Sequence, residues 1–306
     1  MTTTNSAGAL EPAGSTAASV NQVGPHFLSP HPLPDEPLVT VQPSKSWAAL
    51  DLRGLWAYRE LLYFLVWRDI KVRYKQTLLG VSWVVLQPLL TTLVFTIFLG
   101  MLLHVPTDGV PYALFVYVGM MPWTFFTGAV NTTSNSLVGN SNLITKVYFP
   151  RALIPVSAIA ARLLDFAISF GVLVALMAYL RYGLTWRILM LPVLVALVTL
   201  LALGLGMAAS ALNVKHRDVG VLVPLMLQLW MYASPVVYPV SIIPEGWRGL
   251  YRLNPLVGVI EGFRSSILGR GFDWPALGVS AAFTLALLVA AAFSFRRMET
   301  QFADIV

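Results

Sequence analysis

The chain has no cysteine, and charge is scarce: 11% of its 306 residues are Asp, Glu, Lys or Arg. The first absence excludes disulfides, thiol nucleophiles and cysteine-ligated metal. The second excludes an ordinary soluble domain, which carries about 25% charged residues on its surface and in its ion pairs. No glycine is followed by lysine, so a phosphate-cradling loop of the G-x-x-x-x-G-K-[ST] kind is missing, and any ATP that powers this chain must be bound by another one. The four histidines, His26, His31, His104 and His216, fall in tails or loops without metal-ligand spacing, so no metal site is expected. Residues 1–44 contain neither Lys nor Arg and no apolar h-region, unlike a signal peptide, which places the N-terminus in the cytosol.

What is present is apolar. Hydrophobic residues make up 57% of the chain, mean hydropathy is +0.72, and the apolar residues fall in long charge-free runs. Runs of about 20 such residues are what a membrane-crossing helix needs. The net charge of +6 then reads as basic residues gathered in cytoplasmic loops, not as a nucleic-acid surface. Residues 1–45, with seven prolines before position 45, bury too little to repay chain entropy and are expected to be disordered. Residues 46–79 read as an amphipathic helix lying in the cytoplasmic interface, with a stripe of Leu52, Leu55, Trp56, Leu62, Val66 and Ile70.

Six spans follow within residues 80–297: 81–103, 111–137, 150–180, 188–212, 219–240 and 274–295. A short loop-helix is expected at 142–149. Residues 241–271, semi-apolar with four arginines, fit a re-entrant hairpin at the outer surface between spans 5 and 6. Residues 298–306 form a short cytosolic tail. Thirteen of the 20 basic residues then lie inside and six outside, which sets both termini in the cytosol. The fold class is an all-α, multi-pass membrane protein with six transmembrane helices. Arg162 and Asp165, three apart inside the third span, share a helix face; the pair either stitches helices together or lines a hydrophilic path.

Three motifs carry a family resemblance. They are Trp67-Arg68-Asp69-Ile70-Lys71-Val72-Arg73-Tyr74-Lys75-Gln76-Thr77 with Leu79-Gly80 and Trp83, then Lys146-Val147-Tyr148-Phe149-Pro150-Arg151, then Ser234-Pro235, Tyr238-Pro239, Pro244 and Asn254-Pro255-Leu256 with Glu261-Gly262-Phe263-Arg264. In this order they resemble ABC-2 type permeases, in the branch that exports O-antigen, capsule and teichoic-acid polysaccharides. The likeness runs from about residue 50 to the end of the chain. It implies a homodimer capped by two ATP-binding cassette subunits, with ATP and Mg on those partners and no cofactor in this chain.

The resemblance also implies roles. Arg68, Asp69, Lys71, Arg73 and Lys75 of the interface helix, and Asn142, Lys146, Tyr148 and Phe149 of the loop, would meet the ATPase. The basic residues would also grip anionic membrane lipid. Tyr148 and Phe149 are expected to be an exposed aromatic pair. Tyr238, Pro239, Asn254, Pro255, Glu261 and Arg264 would form an outer gate. Sugar rings stack their C–H faces on aromatic side chains, so a glycan path is expected along Trp83, Phe126 and Trp230, with Gln87, Asn131, Arg162 and Asp165 adding polar contacts.

The function so implied is export of a lipid-linked polysaccharide. One rival is an ABC-2 permease for a small hydrophobic drug or lipid, which shares the architecture but needs no continuous hydrophilic channel. Another is a membrane-embedded glycosyltransferase. That chemistry needs paired carboxylates or a metal-binding aspartate motif, and Asp165 is the one carboxylate expected inside a span.

Overall fold

The structure, a computed structural model, describes residues 56–75, 80–107, 109–183 and 185–299. The expectations for the tail at 1–45, the start of the interface helix and the last residues lie outside these. Among the described residues the secondary structure is entirely helical. In chain order the helices are α1 (Arg59–Lys75), α2 (Ser82–Phe95), α3 (Tyr112–Ser134), α4 (Ser136–Gly139), α5 (Ser141–Lys146) and α6 (Leu153–Tyr179). Then come α7 (Leu191–Lys215), α8 (Val219–Tyr232), α9 (Glu245–Tyr251), α10 (Pro255–Leu268) and α11 (Trp274–Glu299). A π-helical stretch, Thr96–Leu102, prolongs α2, and a 3-10 turn, Trp186–Met190, leads into α7.

Five helical segments are long and apolar enough to cross a membrane: Ser82–Leu102, Tyr112–Ser134, Leu153–Tyr179, Trp186–Lys215 and Trp274–Glu299. Each falls on an expected span. The fifth expected span, 219–240, is helical only over its first part. α8 is apolar but stops after 14 residues. At 1.5 Å per residue it reaches about 21 Å, short of the roughly 30 Å hydrocarbon core. The turn at Ala233–Ser234 before Pro235 breaks it, because proline has no N–H to continue the ladder and restricts the residue before it. At the other end of the chain, Arg296 and Arg297 do not stop α11, which continues to Glu299. Charges end the apolar stretch, not the hydrogen-bond ladder.

α3 is the central helix. It packs against α6, α7 and α10, and most of its side chains are buried. Lipid is as apolar as leucine, so close fitting rather than water exclusion holds such helices together. The fit here includes aromatic contacts: Phe125 meets Phe166 edge-on at 5.4 Å, and Phe166 meets Phe263 at 6.0 Å. A second buried cluster joins Leu65 of α1, Leu137 of α4, Ile144 of α5, Phe149, Leu153 of α6, Met207 of α7 and Phe295 of α11. It draws α1 and the 141–150 segment into one end of the bundle.

Within the 241–271 region, α9 and α10 form two helices, and α10 is buried along nearly its whole length, against α3, α7 and α11. Its ends are well specified. Asn254 caps the N-terminus by accepting from Leu256 N at 3.1 Å, Pro255 opens the first turn, and Gly269 closes the helix at φ 75°. Gly258 lets α10 touch α11: a Cβ there would fall 2.3 Å from the Ala276 carbonyl oxygen.

Candidate functional site

Three groups of expected residues can now be located. The first is a charged cluster where α1, α3 and α6 meet. Residues 61, 65, 69 and 73 form one i, i+4 row on α1, and this row faces α6. Of the expected stripe, Trp56 is exposed and Leu62, Val66 and Ile70 are half-buried, while the row that turns inward also carries Asp69 and Arg73. Arg73 Nη1 donates to Asp165 Oδ2 at 2.6 Å. Arg162 Nη1 donates to the same oxygen at 3.2 Å. The Tyr74 hydroxyl donates to Asp165 Oδ1. Arg162 is further held by Thr132, whose Oγ1 accepts from Nε at 2.9 Å and from Nη2 at 2.7 Å. Burial, reinforced by the hydrogen bond to Asp165 and its negative charge, pushes the Tyr74 phenol up to about 12, so it remains a donor at neutral pH.

Arg73, Tyr74, Trp83, Gln87, Arg162 and Asp165 line one cavity of about 250 Å³. Four of the seven expected path residues thus converge. The other three do not. Phe126 is fully buried, with its ring edge-on to Trp230 at 5.8 Å, so it offers no face to a passing sugar in this conformation. Trp230 donates from Nε1 to Asn254 Oδ1 at 3.0 Å and lines a separate cavity of about 610 Å³ with Trp247, Tyr251 and Phe283. Asn131 is half-buried near the end of α3, with its side-chain oxygen lacking a protein partner.

The second group is the expected docking face. Asn142, Lys146 and Tyr148 are exposed, Tyr148 to 76%. Phe149 is 4% exposed, inserted into the second cluster, so the expected exposed pair is corrected to a single aromatic. The proline at 150 and the cluster beneath fix one ring in and one out. On α1, Arg68 pairs with Asp69 at 2.8 Å, Lys71 lies 5.0 Å over the Trp67 ring, and Lys75 is exposed. Asp69 also lies 3.5 Å from the buried Ser157 hydroxyl of α6. Asp69 and Arg73 consequently face their own chain rather than a partner.

The third group is the expected outer gate, and it is one hydrogen-bonded unit. Arg264 is 0% exposed. It pairs with Glu261 at 2.7 Å, donates from Nη2 to the Val236 carbonyl at 2.8 Å, and lies 3.7 Å over the Phe115 ring. Its Nη1 reaches the Tyr238 carbonyl at 3.4 Å. The Tyr238 hydroxyl donates to Tyr232 O at 2.8 Å and lies 3.0 Å from the Tyr251 hydroxyl. Burial raises the Tyr251 phenol above its ordinary range. Asn254 spends both ends of its amide, accepting from Trp230 and donating to Ala233 O at 2.9 Å and Ser234 Oγ at 3.0 Å. Pro239 and Pro255 are buried.

Tyr74, Thr132, Ser157 and Phe115 belong to these networks without having been expected there. Each is joined to its partner across a long stretch of chain, and no local pattern announces such a contact.

The ABC-2 type transporter family matches residues 60–268 of this chain. A protein of Myxococcus xanthus named O-antigen export system permease protein RfbA is 33% identical over 83% of this chain and 98% of its own length. One of the same name from Klebsiella pneumoniae is 27% identical over 81% of this chain and 95% of its own. The polysialic acid transport protein KpsM of Escherichia coli is 24% identical over 76% of this chain and 91% of its own.

Proposed function

This chain belongs to the ABC-2 type transporter family, and from that premise we propose that it is the membrane-spanning subunit of an ATP-driven exporter of a lipid-linked polysaccharide. The observation that carries the reading is the Myxococcus relative, named for O-antigen export and matched along almost its whole length. The permease works as a homodimer, and two ATP-binding cassette subunits supply ATP and Mg. α1 lies in the cytoplasmic interface. With Tyr148, Lys146 and Asn142 it forms the surface that the ATPase pushes on. The shared cluster of Leu65, Ile144 and Phe149 supports this, because it makes the helix and the loop move together. α8 is the sixth crossing, completed in the outer leaflet by the α9–α10 region. Both termini then lie in the cytosol of a bacterial inner membrane. A polysaccharide moves along the dimer seam when the two halves rock apart.

The test is deletion of the gene and complementation. Loss of surface polysaccharide with glycan accumulating inside, restored by the intact chain, is the expected result. An unchanged cell surface combined with lost efflux of a hydrophobic drug would replace the reading by that of a small-molecule permease.

A further inference from the structure

We propose that the cavity between α1, α2 and α6 binds the phosphate-bearing head group of a lipid. The inference rests on the exporter reading and deepens it by giving a class of ligand to a specific place. Charge counting is the first argument. Two guanidinium groups, Arg73 and Arg162, converge on one carboxylate oxygen of Asp165, at 2.6 and 3.2 Å. The cluster therefore holds one positive charge more than it balances, and no second carboxylate lines the cavity among the described residues. A half-buried, uncompensated cation beside a membrane is costly, and an anion entering the cavity removes that cost.

Donor counting is the second argument. Arg162 engages Nε, Nη1 and Nη2 with Thr132 and Asp165. Among the described residues Arg73 engages Nη1 alone, which leaves Nε and Nη2 as a planar, two-donor edge. Such an edge matches two oxygens of a phosphate, and guanidinium–phosphate bonds are charge-assisted. Trp83 and Gln87 bring further N–H groups to the same cavity, and neither side chain donates to a protein acceptor among the described residues.

The third argument is the wall. Val84, Pro88, Met121 and Phe166 line the cavity together with those polar groups. A lining that is part polar and part apolar suits the junction of a head group and its hydrocarbon, whereas a free ion needs no apolar part. The site also lies at the right level, where the basic end of α1 meets the start of the first spanning segment. Two lipids share this chemistry: the phosphate-linked carrier of the exported glycan and an anionic membrane phospholipid.

The experiment uses the purified full-length chain in phosphate-free maltoside detergent. Inorganic pyrophosphate, farnesyl diphosphate and short-chain phosphatidylglycerol are titrated separately, read by tryptophan fluorescence and thermal stability. Farnesyl diphosphate or phosphatidylglycerol should bind more tightly than pyrophosphate. Arg73→Ala should weaken binding by about tenfold or more, as expected for losing a charge-assisted contact. It leaves Asp165 paired with Arg162, so the fold should persist, and Arg73→Lys, which keeps the charge but not the two-donor edge, should fall between. Arg59→Ala removes the same charge from an exposed position of α1 and should change binding by less than about twofold if the cavity, not general surface charge, holds the ligand. Binding of phosphatidylglycerol assigns the site to membrane lipid, and binding of farnesyl diphosphate alone assigns it to a carrier-type lipid; either supports the proposal. Binding of pyrophosphate as tight as that of both lipids, no binding by any probe, or equal losses in the Arg59 and Arg73 variants would overturn it. The assay involves no transport, so its failure with glycan export intact rejects the site and leaves the exporter reading standing.

Discussion

Arg73 and Asp165, 92 positions apart in the chain, meet at 2.6 Å, and this contact ties the helix before the first spanning segment to the inside of α6. Asp165 accepts from Arg162 and Tyr74 as well, so one carboxylate holds three donors from two helices. The Arg162–Asp165 pair is thus part of a joint between elements and not a tie along one helix.

Asp165→Asn should lower stability by roughly 2 kcal/mol, below the range for fully buried pairs, because the three charged side chains keep between 16% and 29% of their surface exposed. The exchange Arg162→Asp with Asp165→Arg should fail to restore it. An arginine at position 165 faces Arg73, so the swap rebuilds one attraction and creates one repulsion. Thermal unfolding of the detergent-purified variants measures both, and a swap as stable as the parent chain would show that Arg73 does not matter here.

Phe149 and Tyr148 should separate cleanly. Phe149→Ala empties a position in the cluster beneath α1 and should cost roughly 3 kcal/mol. Tyr148→Ala should change stability by less than about 0.5 kcal/mol, since its ring is exposed. In the assembled exporter the Tyr148 variant should nevertheless uncouple glycan export from ATP hydrolysis. Wild-type export and hydrolysis by that variant would reduce the loop to a connector.

Gly119→Ala should damage the outer network from the opposite side. A Cβ at 119 would lie 2.4 Å from the Val236 carbonyl oxygen and 2.7 Å from Arg264 Nη2. The methyl group cannot enter without displacing the carbonyl that Arg264 holds. The expected outcome is a loss of folded yield similar to that of Arg264→Met, and a Gly119→Ala chain that is as stable as the parent would contradict this fit.

The purified chain alone should hydrolyse no ATP, because it lacks a phosphate-cradling loop. Turnover by a contaminant-free preparation would demand a nucleotide site of another kind.

Reporter fusions at residues 20 and 305 should report the same side of the membrane. Opposite sides would mean that α8 and the region after it do not complete a crossing.

The sequence by itself determined the class of the protein and most of its element order. Five long apolar runs can satisfy their backbone in hydrocarbon only as helices, so composition and length suffice to place them. The caps of α10 went unread, although Asn254, Pro255 and Gly269 act on their own neighbours. Only the tertiary structure decided which way side chains face. In lipid, both the inner and the outer faces of a helix are apolar, so periodicity cannot tell a packed face from a lipid-facing one. For that reason the inward row of α1 and the burial of Phe126, Phe149 and α10 came only with the fold. The joint at Asp165 was half legible. Its partner three residues away follows from helix geometry, whereas Arg73 and Tyr74 arrive only because Leu61 and Leu65 seat α1 against α6.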